Sequence, residues 1–331
     1  MRYWGVGNES WGCGGKFTPE DYCTEYRKFT EWLPAYGKPL YLIAAGPNGN
    51  DVEWTRRFFK KWADYARAPI QGWAPHYYCG TTGHALKFST DQWYEMLFKA
   101  DRMGDLIRDQ WSALGEFDKE HKIKLIVDEW GAWHPDGTGI NPRHTFEQMG
   151  CLRDALVAAL TLDTFNRNAE KVDMANIAQL VNNLHSLFLA DEDKFVATPN
   201  FYVFEMYRPH QGGKSLRMTV EAEPIAFKMQ GPGGSIFRVA GSASVKGKML
   251  TVTLVHAHAS EPIELDLALQ GGEAGKVSRT VLTADALNAH NTFDQPAVVT
   301  PKVQDEPKLS GKVLRLTLPA ASVTRVDISL S

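Results

Sequence analysis

The sequence lacks the features that mark a nucleic-acid-binding or membrane protein. Lys and Arg number 36 against 39 Asp and Glu, which gives a formal charge of −3, and no long basic run occurs. Polyanionic partners such as nucleic acid or an anionic membrane surface are therefore disfavoured. No stretch approaches the roughly 18 to 20 consecutive apolar residues of a membrane span, and the first residues are not a basic-then-apolar signal peptide. We expect a soluble chain with no nucleic-acid or membrane partner.

Cysteine is also scarce. The four cysteines form no C-x-x-C pair and have no His at metal-site spacing, so we expect buried free thiols and no metal site. His256 and His258 share one face of a predicted strand but lack a third ligand, and we assign them no function. Aromatic residues are plentiful, with 10 Trp, 11 Tyr and 16 Phe. Such side chains fill a core or stack on sugar rings.

The first two hundred residues alternate between strand and helix patterns. Helices are predicted from Pro19 to Leu33, over 53–67, 91–110 and 145–168, and through Val181, Leu184 and Leu187. Strands are predicted in "RYWGV", "KPLYLIAAGP", "IQGWAPHYY", "IKLIVDEWG" and "KVDMANIAQ". This alternation predicts an α/β fold, with a parallel sheet and crossover helices.

The pattern changes near residue 199. From Ser215 onward, strands of period two are separated by Gly and Pro, as in "KMLTVTLVHAHA" and "KVLRLTLP". This is typical of an all-β sandwich domain. We therefore predict a barrel-type catalytic domain over 1–198 and a β-sandwich over 199–331.

Two carboxylates, Glu9 and Glu129, close predicted strands. In a (β/α)₈ barrel the carboxyl ends of all strands converge on one face, where active sites lie. Retaining glycoside hydrolysis needs two carboxyl groups about 5 to 5.5 Å apart, one as acid/base and one as nucleophile. Asn8 can bond a sugar hydroxyl and Trp130 can wall the pocket. Adjacent strand residues point to opposite faces, so we choose Glu129 as the nucleophile and treat Asp128 as a structural acceptor.

Several segments together closely resemble the retaining α-L-arabinofuranosidases of glycoside hydrolase family 51. They are "YWGVGNESWGCGG", "HYY", "IVDEWGAW", "LRDALVAALTL", "MANIAQLVN", "TPNFYVFEMYRPH" and "LNAHNTFDQP", in colinear order over nearly the whole chain. The resemblance implies a TIM barrel joined to a β-sandwich. It also implies release of terminal arabinofuranosyl groups from arabinan, arabinoxylan or related glycans without a cofactor.

The resemblance also implies roles for individual residues. Glu9 matches the general acid/base, Glu129 the nucleophile and Asn8 the sugar-contacting Asn. The resemblance further implies that His76 and Tyr78 line the pocket, with Tyr78 bonding the nucleophile, and that Gln179 contacts the sugar. Members of the family occur inside bacterial cells and as exported enzymes, so the compartment stays open, with the cytoplasm slightly favoured.

The chain departs from the family at its beginning. If Glu9 ends barrel strand 4, the chain holds strands 4 to 8 only, and residues that the family draws from strands 1 to 3 are absent. An open piece of barrel exposes a strand edge and part of its core. We therefore expect a fragment of a longer enzyme with little or no activity alone, which forms homo-oligomers or binds a complementing N-terminal chain.

Three other interpretations remain. An endo-β-glucanase of the same fold would use the same two Glu residues. A carbohydrate-binding or assembly module would keep the pocket without turnover. Nucleotide binding, suggested by Gly5-Val6-Gly7, is disfavoured because Ser10 stands where G-x-G-x-x-G requires Gly or Ala and no acidic ribose partner follows.

Overall fold

The computed structural model describes residues 2–34, 37–64, 68–80, 82–135, 146–229, 233–305, 308–310 and 312–330. The chain divides into two compact units. The first unit comprises Met1–Tyr78, Arg102–Trp130 and Asn168–Ile177; the second comprises Cys79–Asp101, Gly131–Arg167 and Ala178–Ser331. The domain boundary after residue 198 stays a prediction.

A five-stranded sheet runs in chain order and contains all five strands that the sequence predicts. Its neighbouring strands pair in parallel wherever the register is defined, as between the first and second strands and between the fourth and fifth. This is the strand arrangement of one side of a (β/α)₈ barrel. The strands are β1 (Tyr3–Val6), β2 (Tyr41–Asn48), β3 (Gly72–Cys79), β4 (Lys124–Ala132) and β5 (Val172–Ile177).

Helices separate these strands along the chain. They are α1 (Pro19–Thr30), α2 (Val52–Asp64), α3 (Thr90–Asp101), α4 (Met103–Gly115) and α5 (Leu152–Arg167). The helix α1 begins as the sequence predicts, because the Thr18 hydroxyl accepts a hydrogen bond from the Asp21 N–H and Pro19 occupies the first turn. Its buried Tyr22 and the Phe58 ring of α2 lie 5.4 Å apart, centroid to centroid, within an aromatic core.

Three helix predictions need correction. The predicted helix 91–110 is two helices, α3 and α4, which meet at Arg102. The helix predicted over 145–168 begins at Leu152 among the described residues. Residue 145 lies outside the described residues, as does Tyr65 of the helix predicted over 53–67.

No helix occurs over 181–187, where the structure has turns followed by a hairpin, β6 (Phe188–Asp191) and β7 (Lys194–Ala197). The Asn182 side chain donates to the Ala190 carbonyl at 2.6 Å and accepts from its N–H at 2.8 Å. Asn182 and Leu184 also have positive φ angles of 53° and 49°. Such side-chain to backbone bonds compete with helix formation, and the apolar spacing of this segment was therefore misleading.

The remainder of the second unit is mostly antiparallel strand and confirms the predicted sandwich. The elements are α6 (Pro199–Tyr207), β8 (Lys214–Leu216), β9 (Ile225–Phe227), β10 (Gly234–Ile236), β11 (Val239–Lys246), β12 (Met249–His256), β13 (Ile263–Ala268), β14 (Ala274–Leu282), β15 (Lys302–Gln304), β16 (Lys308–Ser310), β17 (Val313–Leu318) and β18 (Ser322–Leu330). A six-stranded sheet has the order β15-β14-β18-β12-β11-β8, and a three-stranded sheet has the order β13-β17-β16. Side chains from both sheets form one apolar cluster.

Within the described part of the chain, none of the helices combines the length and apolar character needed to cross a membrane.

Candidate active site

Glu9 and Glu129 lie together at the carboxyl end of the parallel sheet in the first unit. One oxygen of each carboxylate and one nitrogen of His76 all lie within 4.8 Å of one another. His76 Nδ1 is 3.1 Å from Glu9 Oε1 and 3.1 Å from Glu129 Oε2. The Tyr78 hydroxyl donates to Glu129 Oε1 at 2.5 Å. Two residues distant in sequence are thus close enough to act on one sugar carbon.

A strained turn positions Glu9. Its φ angle is 42°, in the left-handed region that non-glycine residues rarely adopt. The turn closes because the Glu9 carbonyl accepts hydrogen bonds from the N–H groups of Gly12 and Gly14, at 2.7 and 3.0 Å. A Cβ at residue 14 would lie 1.7 Å from the Asn8 carbonyl oxygen, so this close approach requires glycine.

An irregularity in β4 positions Glu129. Val127 pairs with Ala175 of β5 and Trp130 pairs with Ile177, so β4 has one more residue than its partner over this stretch. Such a bulge interrupts the regular alternation of side chains. Asp128 and Glu129 are both half-buried, and both contact His76. The expectation that their side chains point to opposite faces is therefore wrong at this position.

A second irregularity precedes His76. Ala45 of β2 pairs with Ala74 of β3, and Asn48 pairs with His76, again with an extra residue on one strand. Gly46 lies in this bulge, where a Cβ would come within 2.7 Å of the Ala74 carbonyl carbon. The bulged strand therefore depends on the absence of a side chain at Gly46.

The acidic surroundings determine the charge of His76. Burial alone lowers the pKa of this imidazole, but the contacts with Asp128, Glu129 and Glu9 outweigh it and hold the pKa above its ordinary value. Burial and the hydrogen bond to Glu129 raise the pKa of Tyr78, so its hydroxyl stays protonated and can donate. The exposed Cys13 thiol donates to Glu9 Oε2 at 3.2 Å, and this bond raises the thiol pKa.

The other predicted site residues have different environments. Asn8 is exposed beside Glu9, as a sugar-contacting amide would be, whereas the Trp130 side chain is 1% exposed. Gln179 is exposed in the second unit. The roles of these three residues stay predictions.

His256 and His258 belong to the second unit and stay without an assigned function. The His256 Nδ1 bonds the Pro319 carbonyl at 2.7 Å, and the His258 Nε2 lies 3.4 Å from Glu261.

The spacing of Glu9, His76 and Glu129 would also suit a metal ion. Zinc and similar ions accept one imidazole and two carboxylates. His76 Nδ1 already contacts both carboxylates, and Tyr78 and Cys13 donate hydrogen bonds to the same two groups. We assign no metal to this group, because two facing carboxylates with a phenol donor meet the needs of sugar chemistry as they stand.

Two supporting residues escape sequence reasoning. The Tyr22 hydroxyl donates to the Val6 carbonyl and accepts from the Ala45 N–H at 2.7 Å, and so fixes the end of β1 beside β2. Cys13 follows Glu9 by four residues, but only the tight turn brings its thiol to the carboxylate. Neither contact has a signature in the spacing of residues.

Comparison with known proteins identifies relatives over the whole chain. The profile of the "Alpha-L-arabinofuranosidase C-terminal domain" family matches residues 128–322. An "Intracellular exo-alpha-L-arabinofuranosidase" of Bacteroides ovatus is 33% identical over 99% of this chain and 64% of its own length. An "Exo-alpha-(1->6)-L-arabinofuranosidase" of Bifidobacterium longum is 24% identical over 99% of this chain and 66% of its own length.

Solved structures give the same result. The GH51 arabinofuranosidase of Xanthomonas axonopodis pv. citri superposes with a TM-score of 0.91 at 31% identity, over 99% of this chain and 66% of that one. An α-L-arabinofuranosidase of Thermotoga maritima, in an arabinose complex, has a TM-score of 0.83 at 23% identity over the same shares, which supports the fold alone. The fold is thus a partial TIM barrel followed by a β-sandwich.

The chain spans about two thirds of the length of these relatives, 64% for the Bacteroides protein and 66% for the Xanthomonas structure. The family profile covers more than half of the chain and includes Asp128 and Glu129 at its first positions. The chain belongs to the glycoside hydrolase family 51 α-L-arabinofuranosidases.

Proposed function

We propose that this chain carries the catalytic pair of a retaining exo-α-L-arabinofuranosidase that removes terminal arabinofuranosyl groups from arabinan- or arabinoxylan-type glycans. The observation that carries the proposal is the approach of Glu9 and Glu129 oxygens to within 4.8 Å at one end of the sheet. This gap suits a direct attack on the sugar and is too narrow for the water of an inverting mechanism. The names of the Bacteroides and Bifidobacterium relatives support the choice of sugar.

Each carboxylate has one role in each half of the reaction. Glu129 attacks the anomeric carbon while Glu9 gives its proton to the departing glycosidic oxygen. Glu9, now a carboxylate, then takes a proton from water, which attacks the same carbon and releases arabinose from Glu129 with retained configuration. Tyr78 donates to Glu129 and so fixes the direction in which its other oxygen points. We also propose that Asn8 bonds the sugar hydroxyl beside the reacting carbon, that Trp130 walls the pocket and that Gln179 contacts the sugar.

A covalent label tests the catalytic pair without requiring fast turnover. An arabinofuranose-configured epoxide should form an ester with Glu129, detected by peptide mass spectrometry, and Glu129→Gln should abolish the adduct. Glu9→Gln should slow labelling and Asp173→Asn, at an exposed β5 carboxylate, should not change it. A glucose-configured epoxide that labels Glu129 faster than the arabinofuranose reagent would favour the endo-β-glucanase instead. Absence of any adduct, together with no hydrolysis of aryl arabinofuranosides, would contradict the proposal.

We further propose that the five strands are strands 4 to 8 of the barrel and that the catalytic domain covers 1–198, with the sandwich over 199–331. The strand β1 stands at one end of the sheet order. Large apolar side chains are exposed on it and on the segment around α1: Tyr3 at 42%, Trp4 at 48%, Phe29 at 70% and Trp32 at 87%. Additional strands, from a complementing chain or a second copy, would cover this edge.

Sedimentation velocity tests this edge, with association expected for the unchanged chain and lost when Phe29 and Trp32 are both changed to Glu. Association that survives both changes would contradict it. We expect weak or no hydrolysis of aryl arabinofuranosides by the chain alone, and robust turnover by the monomer would refute that expectation.

For the compartment we propose the cytoplasm, on the name of the Bacteroides relative.

A further inference from the structure

Asp128 is a third carboxylate at the site, and it has no role in the two steps of the proposed reaction. Its Oδ1 atom lies 3.1 Å from His76 Nε2, the ring nitrogen opposite the one that faces Glu9 and Glu129. The contact is not aligned as a hydrogen bond, and the buried Oδ1 has no other partner among the described residues. The imidazole is thus enclosed by carboxylates on both of its nitrogens, and its side chain is only 5% exposed.

The geometry permits only one charge state that satisfies all three contacts. In a neutral imidazole one nitrogen carries a lone pair, which would face a carboxylate oxygen at 3.1 Å and repel it. In the imidazolium both nitrogens carry a proton, so that one N–H faces Asp128 and the other faces Glu9 and Glu129. The charges that face the ring come from the turn after β1 (Glu9) and from β4 (Asp128 and Glu129).

We propose that Asp128 is a positioning residue that keeps His76 doubly protonated, so that the Nδ1–H remains between the two catalytic carboxylates. The β4 bulge makes this possible, because it brings Asp128 and Glu129 to the same imidazole. The role is that of an electrostatic anchor, and Asp128 itself does not touch the sugar.

His76 Nδ1 is equally distant from Glu9 and Glu129, and this matters for the reaction because the negative charge moves from one to the other. This consequence rests on the proposed function. Before attack the negative charge is on Glu129 and Glu9 carries a proton. After attack Glu129 is an ester without charge, and Glu9 has given its proton away and is anionic. The Nδ1–H can bond whichever carboxylate is charged, at 3.1 Å in either case, without movement of the backbone.

Nitrogen-15 NMR of histidine-labelled chain tests the anchor directly, with the His76 signals assigned by their loss in His76→Gln. In the unchanged chain His76 should titrate above its ordinary value of about 6.5. Asp128→Asn should lower its midpoint by about one pH unit or more, since a neighbouring opposite charge shifts a pKa by roughly one to three units. Asp128→Glu should retain part of the raised His76 midpoint. The matched control Asp173→Asn should leave the His76 midpoint unchanged.

Two results would overturn the inference. One is a His76 midpoint in Asp128→Asn that lies less than about one unit below that of the unchanged chain, since a neighbouring opposite charge shifts a pKa by more than this. The other is a midpoint below about 6.5 in the unchanged chain, which decides the question even if the variant does not fold. Epoxide labelling of Glu129 is scored separately: labelling without the NMR shift rejects only the Asp128 role, and the shift without labelling rejects only the proposed glycosidase.

Discussion

Two groups of side chains in this chain each combine histidine with acidic residues, but in opposite proportions. In the first unit one imidazole, His76, faces three carboxylates, whose side chains are 17% to 33% exposed. In the second unit one carboxylate, Asp154, bonds His134 Nε2 at 2.8 Å and the Cys151 N–H at 2.8 Å, and its side chain is 2% exposed.

The charge balance distinguishes a reactive site from a structural one. Burial opposes ionisation of Asp154, but His134, His185 and Arg153 hold its pKa below the ordinary value, so Asp154 is an anion near neutral pH. The group around His76 in the first unit has more acidic than basic side chains, and solvent and ligands can reach the acidic ones. The difference suggests that removing a carboxylate should harm folding in the second unit and chemistry in the first.

The largest effect on stability is expected for Asp154→Asn. The variant removes the anion from a buried group that includes His134 and the Arg153 guanidinium, and breaking a buried pair in this way costs about 3 to 5 kcal/mol. Urea unfolding measures the change, with Asp173→Asn as the exposed control. Because the Asp154 pKa is lowered by folding, its contribution should be present near neutral pH and should be lost as the pH falls below about 4. A loss under about 1 kcal/mol at pH 7 would remove the contrast.

A smaller and pH-dependent effect is expected at a second buried acid. Asp163 accepts bonds from Ser242, Thr253 and Tyr207, and burial raises its pKa to about 6. A pKa raised by folding gives stability that is complete below about pH 4 and is lost as the pH rises through 6. The unchanged chain should therefore lose up to about 3 kcal/mol relative to Asp163→Asn between pH 4 and 7. Parallel stability profiles for the two proteins would show that prediction to be wrong.

The next effect concerns the backbone that holds Glu9. Gly14→Ala should cost about 1 to 3 kcal/mol in the free energy of unfolding, because the added Cβ would meet the Asn8 carbonyl oxygen at 1.7 Å. Gly12→Ala is the matched control in the same turn, where the nearest atom would be 3.8 Å away. Equal losses for the two variants in urea unfolding would mean that the turn does not depend on this close approach.

The smallest change in stability is expected for Glu129→Gln. The amide oxygen can still accept from Tyr78, and the loss of one charge relieves repulsion among the three acids. The free energy of unfolding should change by less than about 1 kcal/mol, in contrast with Asp154→Asn. A loss above 2 kcal/mol in urea unfolding would assign Glu129 a structural role instead.

Elements with a regular pattern of residues could be predicted from the sequence. The apolar pattern determines the five parallel strands and the alternating strands of the sandwich, and the Thr18 cap with Pro19 determines the N-terminus of α1. The segment 181–187 has helical spacing too, but the Asn182 side chain satisfies the backbone of Ala190 instead. Side-chain to backbone bonds of this kind depend on tertiary context.

The site shows the same division. The choice of Glu9 and Glu129 follows from their position at the ends of predicted strands, and the Tyr78 bond to Glu129 is implied by the family resemblance. The contact of Asp128 with His76 depends on an inserted residue in β4, and the local sequence of that strand carries no mark of the insertion.

The thiol beside Glu9 allows site-specific labelling of the chain. Cys13 is exposed, whereas Cys23, Cys79 and Cys151 are buried, and burial raises the pKa of Cys79 to about 12. A maleimide dye added at mildly alkaline pH should attach at one position in the native fold, with no cysteine removed or introduced. Sugar that binds at the site should then alter the fluorescence of the dye, because Cys13 lies next to Glu9, the proposed proton donor.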